Sequence, residues 1–229
     1  MKLIKKFFSI GLVVVACFSL TVILKNKVVK NTGLSPSAVT VVIDAGHGGI
    51  DGGATGVLTG VRESDLNLII AKKLQEKFAV LGIKTVMTRQ DNNGLYDTTE
   101  PGFKKRDLNK RLEIINSSGA VVLISIHLNT YTSKLRRGAQ VFYKKGNENG
   151  KKLATFIQNG LNVVKDMPRL LNALSGDYYL LNETKIASVI VECGFLSNPD
   201  DERLLLLEEY RNNVANAICN GTLKYLTLK

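Results

Sequence analysis

The chain has 229 residues, enough for one domain with a full hydrophobic core. With 45% hydrophobic and 22% charged residues it is neither disordered nor collagen-like. The formal net charge of +11 is unevenly spread: residues 1–30 hold six lysines and no acid, so the remainder carries only a modest excess and a nucleic-acid partner is not expected.

Those lysines flank an uncharged apolar run from Phe7 to Leu24. A helix of about 18 residues covers about 27 Å, enough to cross the hydrocarbon core, and no small-residue cleavage site interrupts it. Residues 1–24 are therefore predicted to be an uncleaved signal anchor, residues 25–38 a tether, and residues 39–229 one domain held outside the cytoplasm. One alternative exists: Val14-Val15-Ala16-Cys17 has the pattern of a lipoprotein processing site with Cys17 as the lipidated residue. The other two cysteines, Cys193 and Cys219, lie in apolar or amphipathic segments and read as small buried hydrophobes, with a bridge between them left open.

Beyond the tether, apolar runs alternate with helical patterns. A strand at 40–45 leads into a loop rich in glycine (46–56), then a helix over 64–81 with Leu66, Ile69, Ile70, Leu74 and Phe78 on one face. Gly82 stops it before a strand at 83–88. A polar loop (91–103) precedes a helix at 105–117, and the next strand closes on His127. A strand at Gln140–Tyr143, a helix over 148–164, an irregular stretch (166–176) and a short strand at 177–182 follow. Ala187–Cys193 is a near-continuous apolar strand interrupted by Glu192. Asn198-Pro199-Asp200 then opens a helical tail, with Asn198 placed to cap it and Pro199 suited to its first turn. This alternation predicts an α/β fold: a single domain with a mostly parallel twisted sheet of about six strands and helices on both faces, joined to the N-terminal transmembrane helix.

The chain holds two histidines, His47 and His127, and each ends a short apolar run. Imidazole is the commonest metal ligand, and sites gather at the mouths of sheets. Two acids stand out beside them. Glu63 precedes the first helix, where a negative charge also suits a helix N-terminus. Glu192 sits at the end of a buried strand, where a carboxylate must be paired, protonated or coordinated. Catalytic zinc takes three His or carboxylate ligands and leaves a position for water, while a separate carboxylate moves the proton. Two histidines and one Glu satisfy the first need, and the second Glu remains for the other. The glycines of 46–56 lack the lysine of a phosphate-binding loop and read instead as room for close backbone approach. Asp44 is expected either to orient His47 or simply to finish its strand, and Asn129, two residues past His127, to bind substrate or fix a ligand. Arg89, Arg106 and Arg111 are expected to meet substrate carboxylates or to pack against Asp91, Asp107 or Glu113. A Cys–His hydrolase using Cys193 is the enzymatic rival, weakened because Cys193 and Glu192 must point to opposite faces. A catalytically silent protein that only binds a polymer or a partner, its metal merely structural, is the other.

Val42-Ile43-Asp44-Ala45-Gly46-His47-Gly48-Gly49, Glu63, Ser125-Ile126-His127-Leu128-Asn129 and Val191-Glu192-Cys193-Gly194-Phe195-Leu196-Ser197-Asn198 resemble the four motifs of the zinc-dependent N-acetylmuramoyl-L-alanine amidases. The resemblance spans about residues 40–226. It implies His47, Glu63 and His127 as ligands of one Zn2+, Glu192 as the catalytic carboxylate, and peptidoglycan as substrate. The single catalytic unit and Tyr178-Tyr179-Leu180-Leu181-Asn182 are similar to germination-specific amidases of endospore formers, which implies spore cortex maturation, a step toward muramic-δ-lactam, in the space around the forespore. Family members often carry Pro where this chain has Ala187, a change that removes no chemical group. No long inserted helix plugs the site, so control is expected from a regulatory protein partner or from weak metal retention.

Overall fold

A computed structural model describes residues 39–167 and 170–228. The predicted anchor, tether and Cys17 lie outside the described residues. Among the described residues no helix is long and apolar enough to cross a membrane.

The chain runs β1 (Thr40–Ala45), α1 (Glu63–Val80), β2 (Lys84–Met87), α2 (Phe103–Ser117), β3 (Val122–Asn129), β4 (Gln140–Tyr143), α3 (Glu148–Leu161), β5 (Leu174–Ser175), α4 (Tyr179–Glu183), β6 (Ala187–Phe195), α5 (Pro199–Leu206) and α6 (Glu208–Thr227). The six strands form one sheet in the order β2-β1-β3-β6-β4-β5. β2, β1, β3 and β6 are mutually parallel, β4 is antiparallel to β6, and β5 pairs parallel to β4. The expected α/β architecture and strand number both hold.

One strand differs. Residues 177–182 were expected to be extended, but Tyr179–Glu183 is a short helix, and the sixth strand is the two-residue β5 within the stretch read as irregular. Tyr-Tyr-Leu-Leu favours strands by propensity. Here consecutive Leu180 and Leu181 are both buried, which alternation on one face of a sheet does not provide. Helical bonds form instead, with Asn182 N donating to Tyr178 O and Thr184 Oγ1 to Leu180 O.

The two sides of the sheet are unequal. Val41, Ile43 and Ala45 of β1, Ile124 and Ile126 of β3, and Val189, Val191 and Cys193 of β6 join the main core with residues of α1, α3 and α6. Alternation turns Val42 and Leu123 to the other side, where Ile115, Ala120 and Leu180 make a much smaller cluster beneath α2 and α4. Asp44, Ser125, His127 and Glu192 share that thinly covered side by strand parity. Cys193 is fully buried on the opposite side, and Cys193 and Cys219 are both free thiols rather than a bridge.

After β6 the chain turns sharply into α5. The Asn198 side chain accepts from the backbone N–H groups of Asp200 and Asp201, both at 2.9 Å, and Pro199 occupies the first turn. Replacing Asn198 by Ala is expected to lower unfolding free energy by about 1 kcal/mol. Urea denaturation measures this, and an unmoved midpoint would show that the cap contributes nothing.

Candidate metal centre

His47, Glu63 and His127 converge at the C-terminal ends of β1 and β3, with one ligand atom from each lying within 4.8 Å of the others. Glu63 is the first residue of α1 rather than a loop residue. Its Oε1 lies 3.3 Å from His47 Nε2 and 3.0 Å from His127 Nδ1. Zinc bonds nitrogen and oxygen at about 2.0–2.1 Å, so the edge of a tetrahedron of such ligands is about 3.3 Å. The two separations from Glu63 are close to that edge, and the donors are the borderline nitrogen and oxygen types zinc prefers. The residues present fit the ion.

Glu63 is held by more than the histidines. Leu128 N donates to Oε1 at 3.1 Å, Asn67 Nδ2 to Oε1 at 3.3 Å and Ala54 N to Oε2 at 2.7 Å. Burial works against its charge, but hydrogen bonds to His127 and His47 prevail and hold the carboxyl far below the usual carboxylate range. For His47 burial opposes protonation, yet Glu63 and then Asp51 outweigh it and push the imidazole up to about 9. Two glycines make this closeness possible. A Cβ on Gly46 would come within 2.2 Å of the His127 ring, and one on Gly53 within 2.4 Å of Glu63 Oε2.

Glu192 lies beside this group. It pairs in register with His127 across β3 and β6, so the two side chains are neighbours on one face. It is 8% exposed and its Oε2 is buried without a hydrogen-bond partner. Burial pushes its carboxyl up to about 7, with the Glu63 charge adding to the rise and the histidines opposing it. A cavity of about 200 Å³ opens beside the histidines, lined in part by Asp51, Lys104, Leu108, Arg111 and Leu180.

The remaining expectations fare differently. Asp44 does not touch His47. It accepts from Thr88 Oγ1 (2.7 Å), Arg111 Nη1 (2.6 Å) and Ser125 Oγ (2.5 Å); burial opposes its charge, but Arg111 and then the two hydroxyls hold its pKa at about 2. The residue that orients His47 is Asp51, whose Oδ2 is 2.9 Å from Nδ1 and whose Oδ1 meets Lys104 at 3.0 Å. A carboxylate on the distal imidazole nitrogen fixes a metal-binding tautomer. Asn129 Oδ1 accepts from Thr130 N at 2.8 Å, a local turn. Arg111 pairs with Asp107 as one reading expected. Arg106 instead pairs with Asp97, and Arg89 reaches the Asp91 carbonyl rather than its carboxylate. Cys193 lies in the core, donates to Val191 O at 3.6 Å, and burial pushes its thiol far up, so it offers no nucleophile. Asp51 and Asn67 were missed; the four-residue spacings 47–51 and 63–67 were the available signal, the second on one helix face.

Residues 41–224 match the profile of the N-acetylmuramoyl-L-alanine amidase family. The chain is 35% identical over 204 residues to the germination-specific N-acetylmuramoyl-L-alanine amidase of Bacillus subtilis, covering 87% of this chain and 85% of that protein. The CwlD amidase of Clostridioides difficile, solved in complex with the GerS lipoprotein, superposes with a TM-score of 0.80 at 39% identity over 83% of this chain and 100% of that one. An N-acetylmuramoyl-L-alanine amidase from Clostridium difficile 630 gives a TM-score of 0.74 at 33% identity, covering 83% and 97% respectively.

The raised Glu192 pKa has a consequence for stability. The folded state holds this proton up to about pH 7, the unfolded chain only to about 4.5. The group's contribution is fully present below pH 4.5 and is lost as pH rises through 7. At about 1.4 kcal/mol per pKa unit, metal-free wild type should lose up to about 3 kcal/mol relative to Glu192→Gln between pH 4 and 8. Parallel stability curves for the two proteins would contradict the burial argument.

Proposed function

Because the chain belongs to the N-acetylmuramoyl-L-alanine amidase family and has that family's activity on peptidoglycan, we propose that it uses one zinc ion to hydrolyse the amide joining the lactyl group of N-acetylmuramic acid to L-alanine. His47, Glu63 and His127 hold the ion. When bound, it supplies Lewis-acid polarisation of the scissile carbonyl and acidifies water. Glu192 does the proton work: its buried carboxylate accepts the proton of the attacking water and returns it to the departing amide nitrogen of L-alanine. In the metal-free site burial raises the affinity of this carboxyl for a proton above that of an ordinary carboxylate, which favours its work as an acceptor. The observation carrying this reading is Glu192 itself, buried, unpartnered and in register beside His127.

The biological setting is part of the same proposal. Similarity to a germination-specific amidase supports action on spore cortex, where freeing the lactyl carboxyl prepares muramic-δ-lactam formation. The apolar run from Phe7 to Leu24 supports a membrane-anchored enzyme with its catalytic domain extracytoplasmic, around the forespore. The lipoprotein bound to the C. difficile relative supports a regulatory protein partner for this chain as well.

Incubation with purified peptidoglycan, with and without chelator, followed by mass spectrometry tests the chemistry. Free stem peptides beginning with L-alanine should appear and should vanish with chelator; cuts within the stem peptide would refute the assignment. His47→Ala and His127→Ala should lose zinc. Glu192→Gln should keep zinc but lose about 10²-fold or more in turnover.

Zinc uptake must also displace the proton that His47 Nε2 shares with Glu63, while the Nδ1 proton stays on Asp51. Affinity should rise about tenfold per pH unit up to about pH 9, with one proton released per ion. Equilibrium dialysis across that range checks it, and a flat response would mean that His47 binds no proton in the empty site.

A further inference from the structure

His47 stands in the left-handed backbone region at φ 62°. Non-glycine residues adopt it at a cost of order 1–3 kcal/mol, and it persists where surroundings enforce it. Three consecutive carbonyls show what enforces it. The Ala45 oxygen accepts from Arg89 Nε (2.8 Å) and Arg111 Nη1 (2.7 Å). The Gly46 oxygen accepts from Arg89 Nη2 (3.0 Å) and Asn67 Nδ2 (3.2 Å), and the His47 oxygen from Arg111 Nη2 (2.6 Å).

Arg111 is 1% exposed, and its guanidinium also meets Asp44 at 2.6 Å and Asp107 at 2.5 Å. Burial opposes its charge, and these two carboxylates more than restore it, keeping it cationic. Its donors are therefore aimed at fixed acceptors on three segments: α2 itself, the end of β1 and the His47 peptide. The same face of α2 presents Lys104, which holds Asp51 against the His47 ring. α2 thus grips His47 at both its carbonyl and its imidazole.

We propose that Arg111 is a positioning residue for the metal site: it fixes the left-handed His47 peptide so that Nε2 faces Glu63. This inference rests on the zinc reading above. In this role Arg111 acts on the metal site through His47. Lysine at this position would keep the charge opposite Asp44 and Asp107. It lacks the planar fork of donors, so it would not reach the His47 carbonyl as well.

The full-length protein, stripped of metal, should be titrated with Zn2+ against a chelating dye, and separately with Co2+ while recording its visible absorption bands. Arg111→Lys should bind zinc about ten- to a hundred-fold more weakly than wild type and shift the Co2+ bands, which report ligand geometry. Thr88→Val, which removes a different partner of the same buried Asp44, should lower thermal stability without changing zinc affinity or the Co2+ spectrum. Should Arg111→Lys fail to fold, the uncharged combination Asp44→Asn, Asp107→Asn and Arg111→Met carries the same comparison. Wild-type affinity in a folded Arg111 variant, or equal loss in Thr88→Val, overturns the positioning role alone. Absence of zinc binding by wild type overturns the zinc reading and this inference with it.

Discussion

Each residue of a strand faces one side of its sheet or the other, and in β1, β3 and β6 that parity divides packing from chemistry. Ile43 and Ala45, Ile124 and Ile126, and Val191 and Cys193 seal the main core. The residues between them carry Asp44, Ser125 and Glu192 to the thinly covered side, and His127 follows at the end of its strand. A slip of one residue in β6 would drive Glu192 into an apolar core and present Cys193 to the cleft. The apolar pattern makes that slip expensive. The same register that packs the core therefore sets Glu192 beside His127, and the position of the site follows from hydrophobic burial more than from any polar contact.

Electrostatics then separates two carboxylates that share one site. Glu63 receives backbone N–H groups from Ala54 and Leu128, an amide from Asn67 and both imidazoles, so it remains ionised despite burial. Glu192 is equally secluded, but its Oε2 has no partner, and its proton is held to about pH 7. Chemically identical groups acquire opposite tendencies because one has its desolvation compensated and the other does not. The first suits a permanent negative ligand and the second a group that exchanges protons.

Much of this was legible in the sequence because it rests on local patterns. Apolar runs located β1, β3, β4 and β6, and the histidines and Glu192 at strand ends marked the site. Asn198 announced its own helix through side-chain reach of two and three residues. What escaped depends on distance along the chain. Asp44 lies three residues before His47, yet its partners are Thr88, Arg111 and Ser125, 44 to 81 positions away. Arg111 was expected to meet substrate carboxylates or to pack against a nearby acid, and nothing in its own segment shows that it reaches Asp44 and the His47 carbonyl, 67 and 64 positions away. Residues 177–182 misled because strand propensity measures fit to a pleated surface, and Leu180 and Leu181 are buried together in a helical turn instead.

The way α2 is attached explains the presence of so much buried charge. A buried ion pair is no better for stability than well-packed apolar side chains of similar volume, because desolvation offsets most of its attraction. α2 has such apolar contacts only sparingly, through Leu108, Leu112 and Ile115 near the small cluster. A hydrophobic contact has no direction and would tolerate small rotations of the His47 peptide. Hydrogen bonds to a charged group are worth about 1.5–3 kcal/mol each and fade with misalignment. Arg111 supplies such a bond at the His47 carbonyl and another at Ala45, together comparable to or larger than the strain of a left-handed histidine. A guanidinium can hold that strained peptide in a single orientation, whereas an apolar side chain of the same size would leave the imidazole free to turn away from Glu63.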